Sequence, residues 1–125
     1  MKIMIADDSS MFKEKLVMSV LGVDQISSIA RATNCDDAID LFEKVRPEIV
    51  VLDISNSLED ALKILEHVKG VNPNTIVFML VKSSQEEFRK KCVDLHADYF
   101  FDKFSEYDNL LNTLMSIMYS KDLYN

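Results

Sequence analysis

Ile49-Val50-Val51-Leu52-Asp53 is the stretch on which the reading of this chain turns. Four consecutive large apolar residues leave no polar side to face water, so the segment reads as a strand buried on both faces, as the strands of parallel sheets are. The run closes on an acid. Ligands of open α/β sheets bind outside the carboxyl ends of the strands, and a strand that is apolar up to Asp53 delivers a carboxylate to that edge. Taken alone, Asp53 could equally cap the segment that follows it.

Outward from this strand the same alternation repeats across the chain. Strands are expected at Lys2 to Ala6, Ser28 to Thr33, Ile49 to Asp53, Thr75 to Val81 and Tyr99 to Phe101, each followed by a segment of helical period. One helical stripe is Phe12, Leu16, Ser19 and Val20, and a second is Ala38, Leu41, Phe42 and Val45, ended by Pro47. Ala61, Ile64, Leu65 and Val68 form the third. The fourth, with Phe88, Cys92 and Leu95, is expected to start at Ser84 in a capping box with Glu87. Ser105 with Asp108 is read in the same way ahead of Leu110, Leu111, Leu114, Ile117 and Met118. Five strand and helix pairs define an α/β chain, and 125 residues suit one domain spanning 1 to 125.

The composition narrows the function. A net charge of -7 opposes direct nucleic-acid binding and attraction to an anionic membrane surface. No apolar run approaches the roughly 18 residues of a membrane span and no signal peptide opens the chain, so no membrane insertion is expected and the cytoplasm is the expected address. Cys35 and Cys92 lack CxxC spacing and fall on different helices, which reads as free thiols. His67 and His96 are isolated and are assigned to no metal.

At the strand ends stand Asp7 and Asp8 after the first strand, Asp53 on the third, Val81 on the fourth and Lys103 after the fifth. In the flavodoxin-like order 2-1-3-4-5, strands one and three are neighbours and the three carboxylates meet at the topological switch point. Two carboxylates 4 Å apart repel by about 4 kcal/mol at an effective dielectric near 20, so the trio calls for a proton, a lysine or a divalent cation. Mg²⁺ suits an all-oxygen set, with Asp8 and Asp53 as direct ligands, Asp7 through water, and the backbone carbonyl of Ser55. Lys103 would then meet an incoming phosphoryl group, and Asp53, on a strand end, is the nucleophile best placed for in-line attack.

With those residues in view, the chain resembles the response-regulator receiver domain (CheY-like) over residues 2 to 118. The resemblance rests on Ile-Ala-Asp-Asp-Ser-Ser (5 to 10), Val-Val-Leu-Asp-Ile (50 to 54) and His-Ala-Asp-Tyr-Phe-Phe-Asp-Lys (96 to 103), in that order. It implies a flavodoxin-like (βα)5 three-layer sandwich with a five-stranded parallel sheet. It further implies phosphorylation of Asp53 by a sensor histidine kinase or a histidine phosphotransfer protein, with catalysis confined to the domain's own phosphorylation and dephosphorylation. Phe100 would be the switch aromatic. A downstream protein target would dock on the face of helix four, strand five and helix five.

Several positions depart from the family pattern. Val81 stands where Thr or Ser normally bonds a phosphoryl oxygen, a bond worth about 1.5–3 kcal/mol when the acceptor is charged. Ser83 or Ser84 could substitute, though both read better as helix starts. Ser57 replaces a usual Pro, Ala61 a usual Gly, and His96 a Gly that often needs positive φ. Phe104 replaces the usual proline, so the Lys103–Phe104 peptide is expected to be trans. The competing function is a degenerate receiver that binds partners regardless of phosphorylation. An aspartate-nucleophile phosphatase would want D-x-D after the first strand, where position 9 is serine, and a flavin protein would want a Ser/Thr/Gly-rich phosphate loop.

Overall fold

The computed structural model describes residues 1–54, 57–81 and 85–124, the side chains of Ser10 and of residues 121–124 aside. Among the described residues strands and helices alternate: β1 Lys2–Asp7, α1 Ser10–Val20, β2 Ser28–Ala32, α2 Cys35–Val45, β3 Ile49–Asp53, α3 Leu58–Val71, β4 Ile76–Val81, α4 Glu86–Asp94, β5 Tyr99–Asp102 and α5 Tyr107–Tyr124. The strands form one parallel sheet in the order β2-β1-β3-β4-β5. This is the flavodoxin-like order, and β1 and β3 flank its switch point.

Because strand residues alternate between faces, the sheet builds two cores. Ile3, Ile5, Ile49, Val51, Phe78 and Leu80 pack beneath α1 and α5 with Leu16, Leu110 and Leu114. Met4, Ala6, Val50, Leu52, Val77, Met79 and Val81 meet α2, α3 and α4 through Phe42, Leu65 and Cys92. The result is a three-layer sandwich in which the central strands β1, β3 and β4 are hidden on both sides, which is why their runs Ile3–Ala6, Ile49–Leu52 and Ile76–Val81 are apolar, while the edge strands β2 and β5 keep exposed Arg31 and Tyr99. The predicted stripe of α3 is buried in full.

Local chemistry sets the element ends. Asn34 accepts from the Asp37 N–H at the start of α2, and Ser57 accepts from the Asp60 N–H at the start of α3. Arg46 takes a left-handed conformation (φ 50°) to close α2 before Pro47. His96 adopts φ 70° in the turn into β5, as the sequence suggested for a position that elsewhere carries Gly. No peptide bond among the described residues is cis, so Lys103–Phe104 is trans. Cys35 and Cys92 are free thiols on α2 and α4.

Several boundaries differ from the sequence reading, among them the end of β5, which reaches Asp102 rather than Phe101. β1 runs on through Asp7, so that acid is the last strand residue rather than the first after it. β2 stops at Ala32 and β4 begins at Ile76, one residue short of Thr33 and Thr75 respectively. Helix α4 begins at Glu86, with Gln85 in the cap position; Ser84, the expected start, lies outside the described residues. Helix α5 begins at Tyr107, because Asp102 takes the N–H groups of Phe104 and Ser105 into a turn while the Glu106 carboxylate accepts from the Asp102 N–H. At the opposite end of the sheet, the Lys69 ammonium donates to the carbonyls of Pro73 (3.2 Å) and Thr75 (2.6 Å) and to Asp98 (2.7 Å). Among the described residues no helix is long and apolar enough to cross a membrane.

Candidate functional site: an acidic pair and a lysine at the switch point

The parallel register places Asp7 directly beside Asp53, and the Asp8 N–H donates to the Asp53 carbonyl at 3.3 Å. Asp7 is fully buried and Asp53 nearly so, at 5% exposure. Two acids reach such depth because the strands that carry them are apolar over the four residues before each, Ile3–Ala6 and Ile49–Leu52. From beyond β5, Lys103 extends back over the sheet edge to an ion pair with Asp53 Oδ2, and its ammonium lies 3.9 Å from Asp7 Oδ1. Asp7, Asp53 and Lys103 are thus brought together as the sequence proposed, and Asp8 adjoins them, half-buried, through its backbone.

Burial pushes the Asp7 carboxyl up to about 6; the Ser9 N–H, bonded to Oδ1 at 2.7 Å, pulls the other way, Asp53 and Asp8 raise it further, and Lys103 offsets part of that. Asp7 Oδ2 is buried with no hydrogen-bond partner among the described residues. A buried carboxylate oxygen in that condition is costly unless a cation or a proton meets it. Among the described residues, no three acidic, His or Cys side chains are drawn together as a finished cation cage. The oxygen set nevertheless fits a hard divalent ion, since such an ion keeps waters and needs only a few carboxylates. Ser55 lies outside the described residues, as do Ser83 and Ser84.

Val81 ends β4 with 6% exposure, opposite Asp102 in the sheet, and presents methyl groups where a hydroxyl was considered. It lines a cavity of about 160 Å³ with Asp53, Met79, Phe88, Lys103 and Phe104. Phe100, half-buried on β5, packs against the α2–α4 core, and the Arg89 guanidinium of α4 lies 5.1 Å from its ring centroid.

Sequence reasoning missed two contributors. Lys13 is only 7% exposed, and its ammonium donates to the Asp7 carbonyl (3.4 Å) and to Thr33 Oγ1 (3.1 Å), tying β1 to the loop after β2. In the run Lys13-Glu14-Lys15 charge alone does not mark it as the buried one; its place one residue after the core aromatic Phe12 is the available signal. Phe12 itself was read as core, and its ring also lies 4.7 Å from the Lys103 ammonium.

The family described as the response regulator receiver domain matches residues 3–115. Protein CcdB of Bacillus subtilis (strain 168) is 23% identical over 117 residues, covering 94% of this chain and 97% of that protein. A protein-glutamate methylesterase/protein-glutamine glutaminase of Treponema pallidum is 27% identical over 103 residues, 81% of this chain but only 26% of its own length. The REC domain of AraT, a response regulator from Geobacillus stearothermophilus, superposes with a TM-score of 0.82 at 18% identity, covering 98% of this chain and 96% of that one, which is likeness of fold.

Proposed function

Because the chain belongs to the response regulator receiver domain family, the receiver of two-component systems, we propose that Asp53 is its phosphoacceptor and that Lys103, Asp7 and Asp8 complete the phosphorylation site. The observation that carries the proposal is the meeting of Asp7, Asp53 and Lys103 at the β1/β3 switch point. An Asp53 carboxylate oxygen attacks phosphorus, the bond from phosphorus to the donor's imidazole nitrogen breaks, and the imidazole keeps that electron pair and takes up a proton. Lys103 turns its ammonium to the transferring oxygens as their charge shifts. Mg²⁺ would be held by Asp8, Asp53, the Ser55 carbonyl and, through water, Asp7, and would supply positive charge to the phosphoryl oxygens. Water later cleaves the acyl phosphate and returns the carboxylate, so the domain, spanning 1–125, turns over only its own phosphoryl group.

In this reading the chain acts in the cytoplasm, and its donor is a sensor histidine kinase or a histidine phosphotransfer protein. The output is binding of a protein target on the face of α4, β5 and α5, where Phe100 responds to Asp53. Val81 offers no hydroxyl to the phosphoryl group, so Lys103 carries a larger share of its recognition. The test is intact-mass spectrometry with Mg²⁺ and a small acyl-phosphate donor, beside Asp53→Ala and a chelated sample. One added phosphoryl group, absent from both controls, is the expected result. A folded protein that takes no label while a known receiver is labelled in parallel would overturn the reading.

A further inference from the structure

Two phenyl rings from different elements close on the Lys103 ammonium. The Phe12 centroid lies 4.7 Å away and the Phe104 centroid 5.8 Å away, both within the range of a cation–π contact. The two rings are held very differently. Phe12 is 7% exposed, and its ring meets Tyr107 edge-on at 5.8 Å, while the Tyr107 hydroxyl shares a hydrogen bond with Ser19 at 2.6 Å. Phe104 is 80% exposed, so burial does not fix its ring. Its backbone is fixed instead, by the Asp102 carboxylate that accepts from the N–H groups of Phe104 (3.0 Å) and Ser105 (2.9 Å).

We propose that Phe12 and Phe104 form an aromatic clamp on Lys103, and that Phe104 is a positioning residue for phosphoryl transfer to Asp53. The proposal rests on the phosphoacceptor reading above. A lysine head on a four-carbon stem has many rotamers, and immobilising it is part of the barrier unless the fold has done so beforehand. Phe12 supplies a rigid wall on the α1 side and Phe104 a second on the loop side. The ammonium is thereby confined to the space above Asp53 Oδ2 and Asp7 Oδ1. Placement matters more here than where a hydroxyl shares the phosphoryl oxygens, because Val81 has none to offer.

The experiment compares the wild-type chain with Phe104→Tyr and Phe104→Leu in two readouts: the ε-methylene proton shift of Lys103, in protein with ¹³C-labelled lysine, and the rate of labelling by an acyl phosphate at saturating Mg²⁺. The clamp predicts that Leu moves the Lys103 signal out of its ring-shielded position and slows labelling about two- to five-fold, the worth of one exposed cation–π contact. Tyr, which keeps the ring, is expected to match wild type in both. A Lys103 shift unchanged in the Leu variant, an unchanged rate, or a Tyr variant that behaves like Leu would each overturn the proposal. A wild-type chain that shows the shielded Lys103 signal yet takes no label sinks the phosphoacceptor reading, and the positioning role with it. Normal labelling with a Lys103 signal indifferent to Phe104 removes the clamp alone.

Discussion

Replacing Asp7 with Asn should make the metal-free protein more stable while harming its chemistry. Asp7 is wholly buried, and burial, with Asp53 and Asp8 nearby, lifts its carboxyl to about 6 from the usual 3.8. A raised carboxyl pKa means the folded chain holds the proton more tightly than the unfolded one. The associated stability is therefore complete below 3.8 and is lost as pH rises through 6. That difference corresponds to roughly 3 kcal/mol at neutral pH. Asparagine removes the charge and keeps an oxygen for the Ser9 N–H, but its amide nitrogen replaces an Oδ2 that has no hydrogen-bond partner among the described residues, which costs about 1–2 kcal/mol. The net expectation for Asp7→Asn at pH 7 in chelator is a gain of about 1–2 kcal/mol, or roughly 4–8 °C in Tm for a chain of this length. Urea unfolding of both proteins from pH 4.5 to 7.5 reads it directly. The gap should be widest above pH 6 and close toward pH 4.5, and Mg²⁺ should stabilise the wild type more than the variant. A variant that is less stable at pH 7 in chelator, or a gap indifferent to pH, would refute the reasoning.

Val81→Thr puts a hydroxyl at a position only 6% exposed and packed in the core under α3 and α4, so the unphosphorylated protein should lose about 1–2 kcal/mol in urea unfolding. Once phosphorylated it should show larger shifts at Phe100 than wild type, because a bond to a charged oxygen is worth about 1.5–3 kcal/mol. Lys69→Met removes three bonds from a side chain only 9% exposed, at the sheet end away from Asp53. Urea unfolding should record a loss of about 2 kcal/mol, discounted because Asp98 is partly solvated, with the acyl-phosphate labelling rate unchanged. Leu65→Ala, in the core under α3, should cost about 2–5 kcal/mol by the same measurement.

The fold was legible because the central strands announce themselves by apolar runs, and β1 and β3 also by the acid that ends each. Ile49–Asp53 shows both, and the switch point follows from the strand order. Asp7 was misplaced by one position because an acid is a poor strand residue by local preference. Only its pairing with Asp53 across the sheet keeps it in β1. The start of α5 differs from the sequence reading because a nearer group does the capping work: Asp102, a strand residue, organises the turn that delays the helix to Tyr107. Ser57 was noted only as a missing proline, although Ser57-x-x-Asp60 is itself a readable start signal. The burial of Lys13 was not readable from charge pattern, since Lys13, Glu14 and Lys15 are alike in sequence and differ only in which side of α1 meets β1. The contact of two aromatic rings with Lys103 needs the approach of α1 to the loop after β5, which no local pattern reports.

The central claim is that Asp53 itself carries the phosphoryl group. The most direct measurement is to treat the labelled protein with borohydride, which reduces an aspartyl phosphate to homoserine, and to sequence the resulting peptides by mass spectrometry. The account predicts homoserine at position 53 and nowhere else, with none in the chelated sample. Homoserine at position 7 or 8, or a stable phosphoryl group on a hydroxyl with position 53 intact, would contradict it.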